Sequence, residues 1–226
     1  MKMRSGFTLA VKLIFLLSVC VMLYSAFQIL KAPAEAREAL SIWDKKREEA
    51  QLPVSSEEET PLPEGMVSSA ESPTGDKPAY IAGEVIGEIY FPKLKKRVAI
   101  LEGTGRAELK RGAGHDEASA APGASGNSVL AGHRDTVFRS LGELETGDRL
   151  ELATAKGTFT YEVTGSRIVD GDTRGAIKPS RDPVLTLITC YPFSYVGAAP
   201  ERYLLSAKLV SSQPPSPFTP HPPPKV

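Results

Sequence analysis

Between Tyr80 and Val210 the amino-acid sequence predicts an all-β domain, a barrel or a sandwich. Its segments are short and rich in β-branched and aromatic residues. Turn signals separate them, and no long helical periods alternate with them, which disfavours a parallel βαβ architecture. In order, "YIAGEVIGEIYFPKL" and "RVAILEGT" read as strands, the first broken by glycines, and "NSVLAGH" as another. "DTVFRSLGELE" suggests a short helix, weakened by Gly142. "GDRLELATAKGTFTYEVTGSRIV" reads as two or three antiparallel strands, with turns near Ala155–Gly157 and at Gly165. "PVLTLITC" and "RYLLSAKLV" close the domain.

Different segments surround this domain. Residues 1–31 carry an uncharged run from Leu13 to Leu30, preceded by Lys2, Arg4 and Lys12. Extended back toward Phe7, it supplies the ~20 apolar residues a bilayer core requires. The positive-inside bias then places the N-terminus in the cytosol and the rest of the chain outside. A transmembrane anchor embedded in lipid is the expectation; a cleaved signal peptide, cut near Ala34 and Ala36, is the alternative. Residues 32–79 begin with "AEAREALSIWDKKREEA", expected to form a short solvated helix. The Pro-, Ser- and Glu-rich stretch from Leu52 to Pro78 follows, too poor in apolar residues to offset ordering entropy and expected to be a flexible spacer. Residues 211–226 are proline-dense and expected to form a disordered, polyproline-like tail.

Lysine plus arginine, at 27, balance aspartate plus glutamate, at 27, so formal net charge is zero. A nucleic-acid binder would carry a basic footprint, and none is expected here. The two cysteines differ in setting. Cys20 lies in the apolar run. Cys190 is alone in the exported part, without a disulfide partner, and is therefore intermolecular, inert and buried, or reactive. Strand alternation puts Val184, Thr186, Ile188 and Cys190 on one face and Leu185, Leu187 and Thr189 on the other. Tyr191 and Pro192 end the ladder, so the Cys190 thiol stands at a strand end, where a substrate carbonyl could reach it.

A free thiol is mostly protonated at neutral pH and needs a helper, commonly histidine. His221 sits in the proline tail. His115, in "RGAGHDEAS", reads as a loop or surface histidine, or one lining the cleft. His133, in "SVLAGHRDT", directly follows an apolar strand and a small glycine and is the better candidate. Acyl transfer from a thioester also develops an oxyanion that preorganised donors must meet. Arg202 opens the last strand on the face away from the apolar Tyr203, Leu205, Ala207 and Leu209, within reach of Cys190 if the last two strands pair.

Taken together, "GEIYFPKL", "VAILEGT", "LKRGAGH", "PGASGNSVLAGHRD", "LITCYPF" and "APERYLLSAKLV" resemble sortases, the Gram-positive surface transpeptidases, over about Gly83 to Val210. The order His, then Thr-Leu-x-Thr-Cys, then Arg is kept, and the "APERY" ending is most similar to class D. The resemblance implies an eight-stranded sortase β-barrel with short helices. It implies that Cys190 attacks an LPxTG-like sorting signal, that His133 protonates the leaving amine, and that Arg202 holds the substrate backbone or oxyanion. Thr189 would help line the oxyanion site. The acyl group would pass to an amine acceptor, a cell-wall precursor or a pilin lysine. "SRIVDGDTRGAIKPSRD" falls where the family has a loop that helps bind the signal. Asp135, two residues after His133, is read as a loop residue or turn cap, and Asp170 and Asp172 are too few for a calcium site. No cofactor or metal is expected.

Three rivals stand beside this reading. An L,D-type transpeptidase would carry its cysteine in Ser-x-Gly-Cys, whereas Cys190 follows Ile-Thr. A non-catalytic, membrane-tethered wall-binding domain predicts an unreactive Cys190. A hydrolytic cysteine protease differs only in whether water or an amine takes the acyl group.

Overall fold

The structure, a computed structural model, describes residues 3–50, 80–195 and 197–215. The spacer 52–78 and the last residues of the tail, His221 among them, lie outside the described residues. Eight strands close into a barrel in the order β1-β2-β3-β4-β7-β8-β6-β5. They are β1 (Val85–Phe91), β2 (Lys96–Glu102), β3 (Ala113–His115), β4 (Asn127–Ala131), β5 (Arg149–Thr154), β6 (Gly157–Asp170), β7 (Val184–Tyr191) and β8 (Glu201–Gln213). Inward-facing side chains fill the interior, among them Ile89, Ile100, Leu130, Leu152, Leu185, Leu187 and Leu205, all fully buried. Closure removes the exposed strand edges that an open sheet would present.

The strand expectations hold with three differences. Gly165 is no turn: β6 runs through it, and the register shifts between Val163 and Gly165. Thr164 is the extra residue of that bulge, and Gly165, at φ +153°, resumes the pairing with Ser206 without ending the strand. "DTVFRSLGELE" forms turns and a single 3-10 turn, Leu141–Glu143, rather than an α-helix. The region "RAELKRGAGH" holds a short helix α2 (Arg106–Arg111) and strand β3, neither of which the sequence pattern announced.

The N-terminal segment is one continuous helix, α1 (Met3–Glu49), so the apolar run and the charged stretch after it are not two separate helices. Among the described residues, no helix is long and apolar enough to cross a membrane. Its C-terminal part is not solvated all round. Ala39 and Trp43 are buried against Val85, Ala99, Leu101 and Ala153 on the outside of the barrel. Charge completes the contact. Glu88 is fully buried and accepts from Arg97 (Nε–Oε2 2.8 Å) and from Arg47 (Nη1–Oε1 3.0 Å), and Arg97 also pairs with Asp44. A buried carboxylate needs such partners, because its desolvation is otherwise uncompensated. Residues 51–79 therefore join two elements that already touch.

Candidate active site

Strand β7 sits between β4, parallel to it, and β8, antiparallel. This order collects the site. Cys190 on β7 is directly opposite Arg202 on β8. On the other side, Ala131 of β4 is level with Ile188, and Gly132 N donates to Ile188 O at 3.1 Å. Two residues further along each parallel strand come His133 and Cys190. Three residues distant in sequence are thus brought to one rim of the barrel, Cys190 and Arg202 on paired strands and His133 in the segment that leaves β4. Cys190, His133 and Arg202 are all half-buried, and Cys190 is a free thiol.

The backbone around His133 is pinned on both sides. Thr189 Oγ1 donates to Gly132 O at 2.7 Å, and His133 O accepts from Phe138 N at 3.0 Å. Thr189 is 3% exposed and faces the barrel interior, opposite to Cys190. Its hydroxyl donates to the Gly132 carbonyl, so in this structure the side chain ties the cysteine strand to the histidine segment. After Cys190 the chain turns through a cis Tyr191–Pro192 bond. Phe193 there packs on Tyr191 (5.6 Å) and Tyr203 (5.2 Å), bracing the strand end. A Cβ at Gly142 would lie 2.6 Å from the Phe193 ring, so the glycine that weakens a helix provides the seat for this ring.

A groove of about 230 Å³ runs over the outer face, lined by Arg202, Ile188, Val169, Thr173 and Ile177. Its lip is the loop from Gly171 to Pro183, which also covers the fully buried Leu204 and Thr186 side chains of that face. Asn127 holds the loop by donating to Lys178 O at 2.8 Å while its Oδ1 accepts from Thr186 Oγ1 at 2.9 Å. Arg167 adds a bond to Ala176 O. Arg202 Nη1 donates to Glu201 O (2.9 Å) and Ala199 O (3.2 Å), which fixes the guanidinium at the groove wall. Gly171 lies against it: a Cβ there would stand 2.8 Å from Pro200 O and 3.2 Å from Arg202 Nη1. Sequence reading missed Asn127 and Gly171; the only signal was a lone glycine directly after a strand.

His115 is neither on the surface nor in the cleft. It is fully buried at the end of β3, away from the His133 rim, with Nδ1 2.7 Å from Glu102 Oε2 and Nε2 2.9 Å from Ala120 O. Among the described residues, no group of three or more His, Cys, Asp or Glu side chains is placed to hold a metal ion.

A closed barrel with a strand-end cysteine opposite an arginine on one neighbouring strand, and a histidine just past the end of the other, defines a cysteine acyl-transfer scaffold. The Sortase domain family model matches residues 89–210. The chain is 37% identical to Sortase D of Bacillus subtilis (strain 168) over 189 residues, 83% of this chain and 91% of that protein. It is 30% identical to Sortase A of Listeria monocytogenes over 49% of this chain and 51% of that protein. Among solved structures, the catalytic domain of B. anthracis SrtD is 41% identical with TM-score 0.51, covering 63% of this chain and 98% of that one. A Clostridium perfringens Sortase D5 transpeptidase shares the fold, with TM-score 0.58 at 22% identity over 79% of this chain and 99% of that one. The chain belongs to the sortase family. It is a cysteine transpeptidase with the eight-stranded barrel of that family, most like class D.

Proposed function

We propose that this enzyme cleaves an LPxTG-like sorting signal through a thioester on Cys190 and transfers the surface protein to an amine of the cell wall or a pilin. The observation that carries this reading is the register that sets Cys190 opposite Arg202 while β4 delivers His133 to the same rim. Cys190 Sγ attacks the threonine carbonyl of a peptide lying along the groove. Arg202, held by its own loop carbonyls, presents a fixed positive charge to the peptide backbone and the developing oxyanion, where preorganised donors contribute most. His133 protonates the leaving amine, an effect of roughly 10²–10⁴-fold for general acid catalysis. Thr189 serves this chemistry by holding the Gly132 carbonyl and so the base of His133. The attacking amine then displaces the thiolate.

The domain is held at the cell membrane, its N-terminus cytosolic and its barrel outside. Large apolar side chains along α1, such as Leu13 at 59% and Phe15 at 70% exposure, are left bare by the protein and suit a lipid surrounding. Sorting-signal proteins and lipid-linked acceptors are then gathered on one surface. The division into residues 1–31 as anchor, 32–79 as linking segment, 80–210 as catalytic domain and 211–226 as tail follows from this reading.

The test is incubation of the protein with a labelled LPxTG-type peptide and hydroxylamine. A hydroxamate of the N-terminal fragment is expected, with an acyl adduct on Cys190 by mass spectrometry. Cys190→Ala must abolish both, and retained cleavage in that variant overturns the assignment.

A further inference from the structure

A groove of about 550 Å³ lies between the C-terminal end of α1 and the β5–β6 hairpin, and it shares no residue with the peptide groove. Trp43 and Lys46 line it from the helix, Tyr80 from the chain before β1, and Ala155 and Thr158 from the hairpin. Pro215, where the described residues end, also stands on it. Strand β8 delivers the chain to this place. Gln213 pairs with Thr158, and a Cβ at Gly157 would stand 2.2 Å from Gln213 O, so only a glycine lets the hairpin and the departing chain touch. The route out of β8 is therefore fixed beside the groove.

The groove offers donors next to aromatic surface. Trp43 is buried, and its Nε1 has no hydrogen-bond partner among the described residues. A buried indole N–H usually finds an acceptor, because leaving it bare is costly. Lys46 Nζ donates to Glu84 Oε1 (2.8 Å) and Val85 O (3.1 Å), which uses two of an ammonium's three hydrogens.

Residues 216–226, "SPFTPHPPPKV", are the chemical complement. Proline keeps its carbonyl and has no N–H, so this stretch is rich in acceptors and poor in donors that would need partners. In polyproline II it reaches roughly 30 Å at about 3.1 Å per residue, ample for the groove. Pro217 and Pro220 are three positions apart and fall on one face of that helix. Aromatic-lined grooves bind proline-rich segments generally, because the extended helix costs little further ordering. We propose that this groove is the docking site of the chain's own proline-rich segment, residues 216–226, which lies along it in polyproline II form and gives a backbone carbonyl to Trp43 Nε1. The segment then straps the end of α1 to the barrel, beside the pairs that Arg47 and Arg97 make with Glu88 and Asp44. Nothing in this strap uses Cys190, His133 or Arg202.

The test uses the full chain in detergent micelles, isotope-labelled only at its tryptophan nitrogen. The chain has one tryptophan, so the indole N–H gives a single resonance. Ending the chain after Pro215 should shift that resonance and speed its hydrogen exchange about five- to tenfold, the scale of one hydrogen bond. A synthetic peptide of residues 216–226, added to the shortened chain, should return both toward the parent values. The same peptide carrying Pro217→Ala and Pro220→Ala should not. Those two substitutions in the full chain repeat the comparison if the shortened chain fails to fold. A resonance and an exchange rate that shortening leaves unchanged overturn the proposal, as does indifference of the shortened chain to the peptide. A resonance that moves on dilution of the full chain overturns it too, since a second copy would then fill the groove.

Discussion

Replacing Thr189 by valine removes one hydroxyl and almost nothing else. Valine has the same shape and suits a β-strand, so the core face of β7 stays filled. What is lost is the 2.7 Å bond to Gly132 O, within a side chain only 3% exposed. The Gly132 carbonyl is left buried without that donor, a loss of about 1–3 kcal/mol. For a domain of this size that lowers Tm by roughly 4–12 °C. The kinetic effect should exceed what the stability loss alone produces below Tm. Gly132 immediately precedes His133, and a misplacement on the order of 1 Å at a catalytic group can cost ~10²-fold. We expect kcat for peptide cleavage to fall about 10–100-fold with KM nearly unchanged, since the groove is built from other residues. Thr189→Ser, which restores the donor, should recover most of kcat. Steady-state cleavage of a fluorogenic peptide well below each variant's Tm gives both constants. If Thr189→Val melts earlier but turns over within about twofold of the parent, the hydroxyl only supports the barrel and the positioning argument fails.

Three further outcomes are expected. Gly171→Ala forces a methyl group toward Pro200 O and Arg202 Nη1, so peptide kcat/KM should drop about tenfold or more with an unchanged Tm; an unaffected rate would show that the Arg202 seat tolerates displacement. Arg97→Met deprives the buried Glu88 of one partner while Arg47 remains, and should cost about 2–3 kcal/mol in urea unfolding, somewhat less than stripping a buried carboxylate entirely. Tyr161, fully buried and accepting a bond from Gly123 N at 3.1 Å, has its phenol pushed up to about 12 by burial. Because the folded value lies above the unfolded one near 10, its contribution is complete below about pH 10 and is lost as pH rises toward 12, about 3 kcal/mol in all. Tyr161→Phe should therefore show a shallower fall in stability than the parent across that window, and parallel curves would contradict the assignment.

The contrast between what the sequence announced and what it hid has physical causes. Strands such as β2 and β7 were legible because their burial is local and periodic. Strand β3 was not, because its neighbours come too near for side chains: a Cβ at Gly112 or Gly114 would lie 2.3 Å from a backbone oxygen of Ala99 or Gly103. Glycine there serves close approach, which a propensity scale reads as a break. His115 looked exposed because the residues that bury and bond it, Glu102 and Ala120, are brought in by tertiary pairing. The docking face of α1 was hidden by its own charges. Asp44 and Arg47 look like a solvated surface until Arg97 and Glu88 are placed opposite them. The candidate site was legible as a set of residue types in order. Its supporting residues, Asn127 and Gly171, act through backbone carbonyls and steric room, which leave no mark on spacing.

The thiol and the guanidinium face each other across one strand pair, and the imidazole follows two residues after the strand on the other side. Their mutual distances are ruled by the same amide bonds that close the barrel. Loss of turnover on heating and loss of protection of the β7 amides against hydrogen exchange should thus be a single event, with no inactive but intact intermediate between them.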